Sequence, residues 1–289
     1  MERELWRIIS HCITDLDRQF DHQLYLHSVG RIVRVYLWAV LHDRPTYWAC
    51  DRRNWPGVRP PTQLPNQSTL SRRLKKPDTL EMLQRITEQL DTRAFIGLWK
   101  MIDGKPLTVA RHSQDRQSTF GYGAGGKGRG YKFHAIYTGS NRPVAWSVQP
   151  LNIDERQVAK DLTAQLQDTG YIIGDRNYDA NTLYDQADQV DHQWVAARRY
   201  RNAQGVGHRR HSSHRLTMID RMNSPSPHIG QLLRERRQIE TRFAHLTNFG
   251  GGLTCLPPWV RGVHRVTLWG QGKIIVRLAR DQQRRKRCA

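Results

Sequence analysis

Gly97-Leu98-Trp99-Lys100-Met101-Ile102-Asp103-Gly104-Lys105-Pro106-Leu107 is the stretch whose reading decides the fold. An apolar, strand-like run stops there on a carboxylate followed by a turn signal. Two readings are open. Asp-Gly between apolar residues is the strongest short-range hairpin signal, because glycine takes positive φ without steric cost. Alternatively, Asp103 is the first of three acids that hold metal ions. The second reading gains weight downstream, where Asp175 and Glu240 stand in similarly unusual places.

Around Asp103 the texture is that of strands. Apolar and β-branched runs predict strands over 97–103, 131–138 and 143–149, with a Gly139-Ser140-Asn141 turn between the last two and a short strand at 107–110. The glycine-rich run from Gly121 to Gly130 lacks the GxxxxGK[ST] pattern and following helix of a nucleotide cradle, and reads as a flexible basic loop. Val158, Leu162 and Leu166 share one face of a helix from Asp154 to Leu166, after which Tyr171-Ile172-Ile173-Gly174-Asp175 is a buried strand ending on an acid. On its own Asp175 also fits an ordinary turn residue before the next helix. A helix over 179–187, a strand at Trp194-Val195-Ala196-Ala197 and a basic, His-rich loop over 198–227 follow. The periodicity then predicts one helix from about Ile229 to Leu246, and a glycine-interrupted helical segment over 260–278 before the basic tail Arg284-Arg285-Lys286-Arg287.

At 100° per residue, Leu232, Leu233, Ile239, Phe243 and Leu246 define the apolar arc of that helix, and Arg236 and Glu240 fall within it. A plain Arg-Glu pair at i,i+4 reaching for water is the simpler account. A charged pair facing a core is better justified by a metal or a phosphate, since desolvation is costly.

Before residue 93 the chain is helical. Leu5, Ile8, Ile9, Cys12, Ile13 and Leu16 recur at three and four, as do Val29, Ile32, Val33, Tyr36, Leu37 and Val40. Five prolines between Pro45 and Pro65, interleaved with Trp48, Trp55 and arginines, suggest a linker or a DNA-facing arm. Ser68 reads as the N-cap of a short helix carrying Arg72 and Arg73, followed by an amphipathic helix over 80–90; the pair fits a helix-turn-helix reader or plain packing helices equally well. Residues 1–92 are therefore expected to form a helical DNA-binding domain, and 93–289 a catalytic domain with a basic tail.

The chain has 289 residues, 46 Lys+Arg against 26 Asp+Glu and a net charge of +20, spread along its whole length. Such an excess implies a polyanion partner, with nucleic acid favoured over a membrane surface. Nine tryptophans argue against disorder. No run is long and apolar enough for a membrane span, and the first residues do not form an export signal, so a cytoplasmic location is expected. Cys12, Cys50, Cys255 and Cys288 show no CxxC spacing and are read as reduced thiols, Cys255 as a buried small hydrophobe. His208, His211 and His214 lack Cys or carboxylate neighbours at ligand spacing, and fit a DNA-contacting loop better than a zinc site.

Three strands, then a helix, strand, helix, strand and helix, with acids after the first and fourth strands and on a late helix, is the element order of a ribonuclease H-like α/β fold: a mixed sheet flanked by helices. Met101-Ile102-Asp103-Gly104-Lys105-Pro106-Leu107, Gly130-Tyr131-Lys132-Phe133-His134-Ala135, Ile173-Gly174-Asp175-Arg176-Asn177-Tyr178-Asp179 and Arg236-Arg237-Gln238-Ile239-Glu240-Thr241-Arg242-Phe243 together resemble the motifs of a DDE transposase of a bacterial insertion sequence. The similarity spans roughly 97–280 and points to the branch with a Tyr-Arg-Glu-Lys signature. Arg236 matches the arginine, whereas Leu233 and Thr247 stand where that branch has tyrosine and lysine, leaving Arg242 or Lys273 as substitutes for the lysine.

The resemblance implies that Asp103, Asp175 and Glu240 bind two Mg²⁺, with Mn²⁺ as a substitute, for phosphodiester cleavage and strand transfer on double-stranded DNA. It implies Arg236, Arg242 and Lys132 as DNA contacts and self-association on DNA during two-ended synapsis; Arg72 and Arg73 are DNA contacts on the helix-turn-helix reading of the N-terminal domain. A catalytically inactive DNA-binding derivative, or a host nuclease on the same fold, are the alternatives.

Overall fold

The computed structural model describes residues 2–20, 25–91, 97–110, 112–123, 126–199, 210–223, 227–247, 252–253 and 255–288. In chain order these form α1 (Glu2–Asp17), α2 (Val29–Leu41), α3 (Thr46–Ala49), α4 (Gln67–Arg73), α5 (Pro77–Leu90), β1 (Trp99–Thr108), β2 (Thr119–Gly123), β3 (Gly126–Tyr137), β4 (Pro143–Pro150), α6 (Glu155–Thr163), β5 (Gly170–Gly174), α7 (Asn181–Asp188), β6 (His192–Ala196), α8 (Ser213–Asn223), α9 (Pro227–Glu235), α10 (Gln238–Thr247) and α11 (Val263–Cys288). They divide into two compact units, Met1–Arg93 with Leu246–Ala289, and Ala94–His245. The segment after 245, expected to belong with the catalytic domain, thus groups with the N-terminal helices.

The helical unit is built on α2, which is buried along almost its whole length and is capped by Ser28, whose side chain accepts from the Arg31 amide. The buried stripe of α1, Leu5, Trp6, Ile9, Cys12, Ile13 and Leu16, is the 3.6-residue pattern legible in the sequence. Helix α11 reaches α2 at Gly272, where a Cβ would lie 2.9 Å from Val40 Cγ1, so only glycine permits this approach. The proline-rich segment does not extend outward as an arm. Trp55 stacks on Trp38 at 4.7 Å, Trp6 meets Trp38 edge-on at 4.9 Å, and both Trp38 and Trp55 donate their indole N–H to backbone carbonyls at 2.8 and 2.9 Å. The N-cap of α4 is Asn66, whose Oδ1 accepts from Thr69 N at 2.8 Å, and Ser68 lies inside the first turn.

In the second unit β3 is the longest strand. It pairs antiparallel with β1 along 130–137 and, in successive halves, with β2 and β4. β1 pairs parallel with β5, and β5 parallel with β6, in the order β2-β3-β1-β5-β6 with β4 on β3. The antiparallel half is joined by short connections, whereas the parallel half needs crossovers, which α6 and α7 supply. Ile102, Ile136, Leu162, Ile173, Trp194 and Val195 form part of the core between sheet and helices. This mixed sheet flanked by helices is a ribonuclease H-like fold.

Several local expectations change. Asp103-Gly104 makes no turn; β1 runs through it to Thr108, absorbing the strand expected at 107–110. The glycine run is a β2–β3 hairpin, and Arg129 donates to the carbonyls of Ser113 at 2.8 Å and Ser118 at 3.3 Å, folding the preceding loop against it. Within the stretch expected as a loop over 198–227, α8 forms. The helix expected over 229–246 is two helices, because the backbone turns at Arg236-Arg237.

Candidate active site

Strand register positions the first two acids. Met101 pairs with Ile173 between parallel β1 and β5. Two residues further on stand Asp103, within β1, and Asp175, one residue past β5 in extended backbone, and the two carboxylates lie close enough to repel one another. Asp175 also caps the short 3₁₀ turn Arg176–Tyr178, its Oδ1 accepting from Asn177 N at 2.7 Å. The turn role and the site role coexist in one carboxylate.

Asp103 is half-buried, and its Oδ1 accepts from Gly104 N at 2.7 Å. Burial pushes its carboxyl up to about 6, with the Asp175 and Glu155 charges adding to the rise and the Gly104 N–H and Arg236 opposing it. Two carboxylates side by side, under-compensated by nearby cations, are a hard-oxygen donor set suited to a divalent cation. Arg236 is the cation already present: its Nη2 lies 3.9 Å from Asp175 Oδ2, and its Nε is buried with no hydrogen-bond partner among the described residues. A donor so placed is suited to an anionic oxygen that is not part of the chain.

Three further residues border the acids without having been singled out in the sequence. Glu155, in the first turn of α6, pairs with Lys132 of β3, which is 7% exposed. Tyr178 is buried with its hydroxyl near Glu155, Asp103 and Asp175; burial and then those charges hold it well above its ordinary range. His134 is brought down to about 4 by burial, reinforced by Lys132 and opposed by Glu155, so it is neutral at physiological pH. An acid in a helix's first turn is the commonest of dipole-complementing placements, so Glu155 carried no distinguishing signal.

The other expected site residues are placed as follows. Glu240 is exposed in the first turn of α10 and does not join the pair; among the described residues no three His, Cys, Asp or Glu side chains converge closely enough to hold a metal ion. Leu232, Ile239, Phe243 and Leu246 of the arc are all buried, whereas Glu240 stands at its edge, beside the half-buried Leu233. Arg242 donates to Asn141 Oδ1 at 3.0 Å, pinning the β3–β4 turn. Arg72 is exposed, but Arg73 is buried, paired with Asp78 at 3.1 Å, donating to His27 O and lying 3.7 Å over the Tyr25 ring. Lys273 is fully buried in the helical unit, donating to Val40 O and paired with Asp43, and so does not replace the signature lysine. Lys273→Met is expected to keep or raise the melting temperature of the helical unit, because the methylene stem is preserved and a desolvated charge removed. A large fall in the melting temperature would show that the buried ammonium, not its stem, holds the two helices together. Cys255 is exposed rather than buried. His214 pairs with Asp188 at 3.2 Å and His211 lies 3.0 Å from Arg215, while His208 is outside the described residues.

A model of the transposase DDE domain matches residues 100–263, more than half of the chain, and the matched span contains Asp103, Asp175 and Glu240. The chain belongs to the transposase DDE domain family. Neither the curated proteins nor the solved structures give a match. Members of this family generally use a divalent metal and act on DNA, and membership supports transposase function with nuclease and strand-transfer chemistry. Among the described residues no helix is long and apolar enough to cross a membrane.

Proposed function

We propose that this transposase cuts the ends of a bacterial insertion sequence and joins the freed 3′-hydroxyls to target DNA, with Asp103, Asp175 and Glu240 as the acids that hold Mg²⁺. The observation that carries the reading is the Asp103–Asp175 pair, set side by side by the β1–β5 register with Arg236 against it. Bound there, paired divalent ions would supply an activated water and neutralise charge on the attacking and leaving oxygens.

The chain's own residues do the rest. Asp103 and Asp175 would hold the ions, and so set where the reacting phosphodiester sits relative to the sheet, and Arg236, with its unpartnered Nε, holds a non-bridging phosphate oxygen. Lys132 is held by Glu155, so it acts by fixing Glu155 and Tyr178 beneath the acids rather than by gripping DNA. Glu240 follows Arg236, which lies against Asp175, by four residues, about 6 Å along a helix axis, which keeps it in the neighbourhood of the pair. Two ends must be brought together before joining, which implies self-association on DNA. The excess of positive charge supplies salt-dependent, sequence-independent affinity for double-stranded DNA.

The exposed position of Glu240 favours a second reading, an inactive DNA-binding derivative. Cleavage of 3′ ends and strand transfer with the element's own terminal DNA in Mg²⁺, comparing the natural chain with Glu240→Gln, separates the two. The proposal expects activity only in the natural chain. DNA binding by both, with no cutting in Mg²⁺ or Mn²⁺, would establish the derivative.

A further inference from the structure

The helical unit contains a cleft of about 580 Å³ that the catalytic reading does not use. Three segments distant in sequence line it: the end of α2 through the first residues of α3, α4 with its C-terminal turn, and 258–269, which lead into and begin α11. Its volume lies in the range of sites that take one small organic group, not a duplex.

The walls are of two chemical kinds. Arg44, Arg72, Lys75, Arg261 and Arg265 all line the cleft and all are exposed. No Asp or Glu is among the described residues that line it. The positive potential is visible in His264, whose imidazole is held below its ordinary range by partial desolvation and then by Lys75 and Arg265. Between these cations stand aromatic rings, of which Tyr47 is 59% and Trp259 38% exposed. Exposed aromatic faces interleaved with cations of a single sign are the chemistry that recognises a nucleotide: rings stack on the base and cations hold its phosphate. Bases inside a duplex are already stacked and present only their edges, so a concave aromatic site of this size suits a base that has left the stack.

We propose that this cleft receives a single unstacked nucleotide of a DNA strand, with its base against Tyr47 and Trp259 and its phosphate among Arg44, Arg72, Lys75, Arg261 and Arg265. The inference rests on the reading that the chain binds DNA, and adds to it a preference for DNA with an unpaired nucleotide. One alternative source of the same chemistry is a free nucleotide.

The test uses the full chain and two duplexes of identical sequence, one blunt and one bearing a single unpaired 3′ 2-aminopurine. Anisotropy gives affinity, and 2-aminopurine emission reports stacking on an aromatic ring. The expected result is about tenfold tighter binding of the overhang duplex with quenched emission, since one base–aromatic stack is worth about that factor. Tyr47→Ala and Trp259→Ala, each at an exposed side chain, should bring the overhang duplex down to the blunt level and restore the emission. Equal affinity of the natural chain for both duplexes, or a preference that survives both substitutions, overturns the inference while leaving DNA binding intact. Failure to bind either duplex removes the DNA-binding reading as well. Displacement of the overhang duplex by micromolar dAMP would assign the cleft to a free nucleotide and overturn the strand-bound form.

Discussion

Asp103→Asn is expected to reduce DNA cleavage by at least about a thousandfold and, at the same time, to stabilise the catalytic unit. Loss of one metal-holding carboxylate removes charge stabilisation of the kind that typically costs such factors. The gain in stability follows from the same environment. The folded-state value of about 6 lies above the ordinary 3.8, so between these values the folded chain holds a proton that the unfolded chain has released. Stability on this account falls as the pH rises through that window and stays lowered above it. Asparagine keeps the acceptor for Gly104 N–H and removes the charge, recovering up to about 2 kcal/mol at neutral pH, or roughly 4–8 °C in melting temperature. Below pH 4 the difference should vanish. Thermal melts at pH 7 and pH 3.5 check this directly, and a destabilised Asp103→Asn chain at pH 7 would refute the cost assigned to burying this charge. Millimolar Mg²⁺ should raise the melting temperature of the natural chain at pH 7 and have much less effect on the Asp103→Asn chain.

Asp179→Ala is expected to unfold the catalytic unit more readily than any change at the acids. Its carboxylate is 2% exposed and is held by both arms of Arg215, at 2.7 and 2.8 Å, and by Arg199 N at 3.1 Å. Burial raises its carboxyl, but the Arg215 and Arg199 hydrogen bonds outweigh this and hold it below the ordinary range. Removing it strands a largely buried guanidinium, at a cost of about 3–5 kcal/mol, a large part of the stability of an ordinary domain. The melting temperature should fall by roughly 10 °C or more. Asp179→Leu combined with Arg215→Met should recover most of the loss, since replacing both charges removes the stranded one. In the natural chain the pair's contribution is present above the ordinary aspartate value and is lost as the pH falls through the lowered one. A double variant no more stable than Asp179→Ala would show that the effect is packing rather than charge.

What was legible in the sequence followed from local rules. The strands carrying Asp103 and Asp175 announce themselves by apolar runs, and the alternation of strand and helix after residue 150 dictates parallel pairing. What was not legible depended on contacts between distant segments or on where an apolar arc ends. Glu240 lies within the apolar arc only when Leu233 is counted as its boundary, and Leu233 is itself only half-buried, so the edge of the arc faces outward. Glu155 looks like any first-turn acid until β3 brings Lys132 beside it. Arg73 looks like a surface arginine until Asp78, Tyr25 and the His27 carbonyl close around it. The grouping of 246–289 with the N-terminal helices was not legible for a similar reason: its partner surface on α2 lies more than two hundred residues earlier, and only Gly272 carries a trace of the close approach.

That closure of the helical unit by its last helix has a consequence during synthesis. At about 5–20 residues per second, α2 leaves the ribosome many seconds before α11 exists, while 94–245 can fold as soon as it emerges. The helical unit is the last part to be completed. A chain halted before α11 would leave the apolar surface of α2 without that cover, and is expected to aggregate more readily than the full chain.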